Sequence, residues 1–122
     1  MGNKILLIED EPNIIEAISF ILKRDGWLVA THGDGHTALE AVSRHAPDLV
    51  ILDVMLPGRS GYDILQDLRG AVATQSLPVL MLTARGQNKD RELAQQLGVS
   101  RFMTKPFSNA DILACIHELL PK

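Results

Sequence analysis

Four short stretches of this 122-residue chain carry side chains suited to chemistry: Glu9-Asp10, Asp53, Thr83-Ala84 and Lys105. The first three each close an apolar run: Ile5-Leu6-Leu7-Ile8, Leu49-Val50-Ile51-Leu52 and Val79-Leu80-Met81-Leu82. Lys105 follows the shorter stretch 101–104. Brought to one edge, they supply carboxylates, a hydroxyl and an ammonium. Clustered carboxylates repel one another, and a divalent cation relieves that repulsion. Oxygen donors without a Cys/His set favour Mg²⁺ over Zn²⁺. One carboxylate can then attack a phosphoryl group, as in aspartyl-phosphate chemistry. The Thr83 hydroxyl, the Lys105 ammonium and backbone amides near Ala84 would hold the product oxygens. Asp53 is the best nucleophile, because it ends the strand expected at the centre and leads straight into Val54-Met55-Leu56-Pro57-Gly58. Asp10 is the expected direct metal ligand. Glu9, one methylene longer than an aspartate, would act through a water, and the Met55 backbone carbonyl would complete the protein's share.

The elements that must position these groups follow from the apolar pattern. Strands are expected over 5–8, 27–31, 48–53, 78–83 and 101–104. Helices are expected between them, with Pro12 in a first turn, Gly98 closing the fourth, and Ser108 capping the fifth with Asp111 three residues on. The first helix shows a broad apolar face that takes in Ile14, Ile15, Ile18, Phe20, Ile21 and Leu22. Uniformly apolar strands alternating with amphipathic helices imply a parallel sheet covered on both faces. Right-handed crossovers restrict this to an α/β doubly wound five-stranded sheet with five helices, in the flavodoxin-like order 2-1-3-4-5. In such a sheet ligands lie beyond the carboxyl ends of the strands, where all four stretches fall.

Composition narrows the function classes. Hydrophobic residues make up 46% of the chain and aromatic residues 4%, so the core is aliphatic. Twelve Lys and Arg against fifteen Asp and Glu give a net charge of −3, with no general pull toward nucleic acid or acidic membranes. The single cysteine, Cys115, reads as a buried hydrophobe. No stretch approaches transmembrane length, and a cytoplasmic, reducing setting is expected. Residues 1–122 read as a single domain.

Four motifs in order, Ile8-Glu9-Asp10-Glu11-Pro12, Pro47 to Gly58 with Gly61, Leu82-Thr83-Ala84 and Lys105-Pro106-Phe107, make the chain resemble the CheY-like receiver domain of two-component response regulators. The resemblance spans nearly the whole chain. It implies that a sensor histidine kinase or phosphotransfer protein donates a phosphoryl group to Asp53. It also implies that Glu9 and Asp10 hold Mg²⁺ with Asp53 and the Met55 carbonyl, and that Thr83 is a switch hydroxyl. Lys105 would pair with the phosphoryl group, and Phe102 would be the switch aromatic. A cis bond is implied before Pro106. Phosphorylation would then alter the surface of the fourth helix, fifth strand and fifth helix. Self-phosphorylation and slow autodephosphorylation are implied, with no metabolite turnover; Arg85, two residues past Thr83, reads first as a surface arginine and second as a group that could influence water access to Asp53.

Departures from the pattern touch assembly and output. Many receivers attached to winged-helix DNA-binding domains carry an acidic pair near Ser100-Arg101 and a basic residue in the fifth helix. Here the sequence reads Gly98-Val99-Ser100-Arg101-Phe102 and Ile112-Leu113-Ala114-Cys115-Ile116-His117, while Asp90 and Arg91 match. At most a weak or phosphorylation-dependent dimer is expected. Output is open between direct docking by a stand-alone receiver and control of a DNA-binding domain missing from this chain. A metabolite phosphatase is the lesser alternative, since Met55 stands where such an enzyme would place a second acid.

Overall fold

The computed structural model describes residues 3–84 and 88–120. Five parallel strands, β1 (Lys4–Ile8), β2 (Leu28–His32), β3 (Leu49–Asp53), β4 (Val79–Thr83) and β5 (Arg101–Thr104), form one sheet in the order β2-β1-β3-β4-β5. The helices α1 (Pro12–Arg24), α2 (Ala38–His45), α3 (Gly61–Gly70), α4 (Asn88–Gln96) and α5 (Asn109–Leu119) connect them. This is the doubly wound α/β arrangement expected from the sequence.

Strand periodicity explains the layers. Successive side chains point to opposite faces, so an apolar run buried on both sides feeds two cores. Leu6, Ile8, Val50, Leu52 and Met81 pack with α2, α3 and Ala94 of α4. Ile5, Leu7, Leu49, Ile51, Leu80 and Leu82 pack on the other face with α1, α5 and Trp27. β1, β3 and β4 are buried almost throughout, whereas β2 and β5 hold only half-buried and exposed positions, as edges do.

Local chemistry sets the helix boundaries. Pro12 opens α1, where a missing N–H costs nothing. The Ser60 hydroxyl accepts from the Asp63 amide at α3. At α5, Ser108 accepts from the Asp111 amide while the Asp111 carboxylate accepts from the Ser108 amide, which satisfies two otherwise unpaired donors. α2 ends on Ala46, held at φ +47°.

Several strand bounds and one helix face depart from expectation. The second strand begins at Leu28 and runs to His32, because Trp27 is buried and donates its indole N–H to Asp25 Oδ2 at 2.9 Å. Phe20 is not part of the buried face of α1: it is 64% exposed, with the Arg24 guanidinium 6.0 Å from its ring centre. The inward face of α1 is Ile18, Ile21 and Leu22. β3 and β4 also start one residue later than expected. Asp48 precedes β3 and accepts the Lys4 amide on its carboxylate while donating its own amide to the Lys4 carbonyl.

Candidate acidic site at the carboxyl edge of the sheet

Each element delivers its residue to one cleft. The Glu9 amide donates to the His32 carbonyl at 2.9 Å, which extends the pairing of β1 with β2 one residue past Ile8. Asp53 is the last residue of β3, and the Val54 amide still bonds the Leu82 carbonyl at 2.9 Å. The Lys105 amide donates to the Thr83 carbonyl at 2.7 Å, which ties the end of β5 to that of β4. Glu9, Asp10, Glu11, Pro12, Asp53, Met55, Ala84 and Lys105 line the opening.

Glu9 and Asp53 are 1% and 3% exposed, while Asp10 is exposed at the rim. A carboxylate oxygen from each of the three lies within 4.8 Å of the others. The Lys105 ammonium sits 3.2 Å from Glu9 Oε1 and 3.4 Å from Asp53 Oδ1. The Glu11 amide donates to Glu9 Oε2 at 3.2 Å. Burial, followed by the charge of Asp53, raises the Glu9 carboxyl above its ordinary value, and Lys105 and the Glu11 amide offset only part of this. Burial alone would lower the Lys105 ammonium, but Asp53 and Glu9 reverse that and leave it raised.

Three carboxylates against one ammonium leave an excess of negative charge in a partly dehydrated cleft. Convergent oxygen donors with no nitrogen or sulfur fit a hard divalent cation of the Mg²⁺ kind. The cluster is thus a candidate centre for metal binding and phosphorylation.

The remaining residues singled out from sequence lie around this centre. Met55 and Ala84 both line the cleft, Met55 with an exposed side chain. Thr83 is 1% exposed, pairs in register with Thr104, and is not part of the lining. Phe102 lies outside the cleft, half-buried in β5 opposite Met81 and packed on the core shared by α2, α3 and α4. The Lys105–Pro106 bond is cis, as the resemblance implies. Arg85 lies outside the described residues.

Two features escaped sequence reasoning. Lys105 bridges two carboxylates, where its spacing suggested only an anchor for phosphoryl oxygens. The Arg91 guanidinium lies 5.1 Å from the centre of the Phe102 ring, a cation–π contact between α4 and β5. Residues eleven apart in sequence carry no local signal for such a pairing. Near the position where relatives carry an acidic pair, Arg101 of β5 pairs within the chain with Glu118 of α5.

Comparison with known proteins agrees with this architecture. A family model described as "Response regulator receiver domain" matches residues 5–117. The "Probable transcriptional regulatory protein TcrX" of Mycobacterium tuberculosis is 41% identical over 116 residues, covering 95% of this chain and 49% of that protein. The "Phosphate regulon transcriptional regulatory protein PhoB" of Escherichia coli is 37% identical over 120 residues, covering 98% of this chain and 52% of that one. The chain therefore spans about half the length of the curated relatives it matches. Among solved structures, the BeF3-activated N-terminal receiver domain of Klebsiella pneumoniae RstA superposes with a TM-score of 0.90 at 32% identity, covering 98% of this chain and 100% of that one. The receiver domain of sensor histidine kinase PA1611 from Pseudomonas aeruginosa, described with a magnesium ion in its active-site cleft, gives 0.89 at 29% identity and covers 100% of both chains.

Proposed function

This chain belongs to the response regulator receiver domain family, and we propose that it is a switch thrown by phosphorylation of Asp53. The observation that carries the reading is the buried Asp53 carboxylate, placed between two further acids and a lysine ammonium at the end of a central strand.

The chemistry follows from the charges. An Asp53 oxygen attacks phosphorus in line as the donor's bond to phosphorus breaks, and the leaving group departs with the electron pair. Mg²⁺, when bound, offsets charge on the nucleophile and on the phosphoryl oxygens. Asp10, Asp53 and the Met55 carbonyl would hold it directly, with Glu9 acting through a water. Lys105, already paired with Asp53, would turn its ammonium to a phosphoryl oxygen. The Thr83 hydroxyl and the Ala84 amide would bind the others. Those interactions exist only in the phosphorylated form, so they bias a two-state equilibrium toward it. Phe102, behind Thr83 on β5, would carry the bias to the surface formed by α4, β5 and α5.

A histidine kinase or phosphotransfer protein is the proposed donor. Residues 1–122 are proposed to act as a single domain. Transcriptional control is the proposed output, on the strength of the activity in the relatives' names. With a net charge of −3, these residues have no general attraction to DNA, so DNA contact would need another segment.

The test is intact mass after incubation with acetyl phosphate and Mg²⁺. One added phosphoryl group is expected, absent in Asp53→Asn and in excess EDTA. A folded wild-type protein that takes up none at high donor concentration would falsify the reading.

A further inference from the structure

The turn between β2 and α2 contributes no residue to the acidic cleft, yet it touches both of its sides. Gly33 lies against the acidic segment: a Cβ there would sit 3.4 Å from the Glu9 carbonyl oxygen and 3.8 Å from Asp10 Cα. Two residues on, the Gly35 amide donates to the Pro57 carbonyl at 2.9 Å. Gly35 is buried against the loop after Asp53 so closely that a Cβ would overlap the Arg59 carbonyl oxygen and lie 2.7 Å from the Arg59 nitrogen. The contact is returned from the other side. Gly58, at φ +87°, lies against the turn, where a Cβ would sit 2.5 Å from His36 Cδ2 and 3.0 Å from Asp34 Oδ1.

The turn is also braced internally. The Asp34 carboxylate accepts the His36 amide at 2.9 Å, and the His32 ring and the Thr37 hydroxyl share a hydrogen bond of 2.7 Å. Beyond the loop, the Gly61 amide bonds the Val54 carbonyl at 2.8 Å, which closes residues 54–61 into a compact hairpin of backbone. Besides the pairing of β1 with β3 and the Lys105 bridge from Glu9 to Asp53, a second path joins Asp10 to the Met55 loop, running from Asp10 past Gly33 and Gly35 to Pro57.

We propose that the 33–37 turn is a positioning element: it fixes the separation of Asp10 from the Met55 loop and so governs how tightly the cleft takes a divalent cation. This rests on the reading of the cleft as a metal-dependent phosphorylation site. A hard cation such as Mg²⁺ tolerates little departure from octahedral geometry. Groups outside the ligand shell that orient its members ordinarily control metal affinity by about 10- to 100-fold. A methyl group at Gly35 meets backbone, which cannot rotate away, so the Pro57–Arg59 segment must move outward and carry Met55 with it. The cost falls on cation binding more than on phosphoryl transfer once the cation is bound.

The experiment is a titration with Mn²⁺, a spin-active probe for an oxygen site, in which the free ion is followed by electron paramagnetic resonance. The proteins are wild type, Gly35→Ala, His36→Ala and Ile116→Ala, the last a core change in α5 that lowers stability away from the turn. Gly35→Ala should weaken Mn²⁺ binding by about tenfold or more. Its Mg²⁺ half-saturation point for labelling by acetyl phosphate should shift in parallel, and the rate should recover at saturating Mg²⁺. Unchanged Mn²⁺ affinity in folded Gly35→Ala overturns the inference, as does an equal loss in Ile116→Ala. Where Gly35→Ala does not fold, His36→Ala decides: the ring over Gly58 is exposed and dispensable for the core, so weaker binding supports the inference and wild-type binding overturns it. A wild-type protein that binds no Mn²⁺ removes the metal site itself, an outcome distinct from a turn that does not control it.

Discussion

Replacing Lys105 with Met tests the electrostatics of the cleft most directly. The ammonium lies 3.2 Å from Glu9 and 3.4 Å from Asp53, and at an effective dielectric of about 20 each attraction is worth about 5 kcal/mol before desolvation. The two carboxylates, within 4.8 Å of each other, repel by at least about 3.5 kcal/mol on the same scale. The variant does not lose the whole attraction, since water enters the open cleft and burial of the ammonium no longer has to be offset. Glu9 can also escape by taking up a proton. From an ordinary carboxyl value of 4.5, that costs about 4 kcal/mol near pH 7.5 and sets a ceiling. The net loss in metal-free protein should be about 2–4 kcal/mol at that pH, in line with removal of one partner of a buried pair. The sign with pH is fixed. A carboxyl raised by folding loses stability as pH climbs from its unfolded value through its folded one, so the deficit is largest above that window. Near pH 5 the same ceiling is only about 1 kcal/mol. Urea melts in EDTA at the two pH values measure both quantities. Equal midpoints for variant and wild type near pH 7.5, or a deficit that does not shrink toward pH 5, would refute the reasoning.

Two further outcomes test the fold. Ala46→Gly should raise stability by about 0.5–1 kcal/mol, because Ala46 holds φ +47° at the end of α2, where a Cβ is strained and glycine is not; thermal melts check this, and a lower midpoint counts against it. Cys115 should react with iodoacetamide more slowly in the folded protein than in urea, because burial, only partly offset by Arg101, pushes its thiol up and so depletes the thiolate. Equal rates in the two states would contradict the buried placement.

The strands that build the site were legible because they are apolar on both faces, and in a chain this short only a covered parallel sheet accommodates three such runs. That is why the apolar pattern alone places Asp53, Glu9 and Asp10 at one edge. Strand ends and helix faces read less well. Trp27 looks like a strand residue by composition, yet its indole N–H is satisfied by Asp25, two residues back, and a local bond of that kind overrides propensity. Phe20 looks like a core residue by type, but the face of α1 is set by the 3.6-residue period, and Phe20 falls off it. The bracing of the cleft by Gly33, Gly35 and Gly58 could not be read at all. Glycine announces a turn, while the backbone it must touch is chosen by tertiary packing.

The acidic site runs against the stability of the domain that carries it. Glu9 and Asp53 are almost fully buried and sit close to a third carboxylate, in the position where the sheet could most easily have taken apolar residues. One ammonium cannot neutralise three carboxylates, and burial, followed by the charge of Asp53, raises the Glu9 carboxyl above its ordinary value. In the proposed function the same excess charge would give a divalent cation its affinity, because binding would relieve a repulsion already built into the folded state. Removing a carboxylate should therefore do two opposite things: raise metal-free stability and abolish the extra stability gained from Mg²⁺. In Glu9→Gln the amide keeps the length of the side chain and loses the charge. Its unfolding midpoint in EDTA should match or exceed that of wild type, while the upward shift on adding Mg²⁺ shrinks. A variant less stable in EDTA that still gains as much from Mg²⁺ as wild type would mean that Glu9 is a structural partner of Lys105 and contributes nothing to the cation.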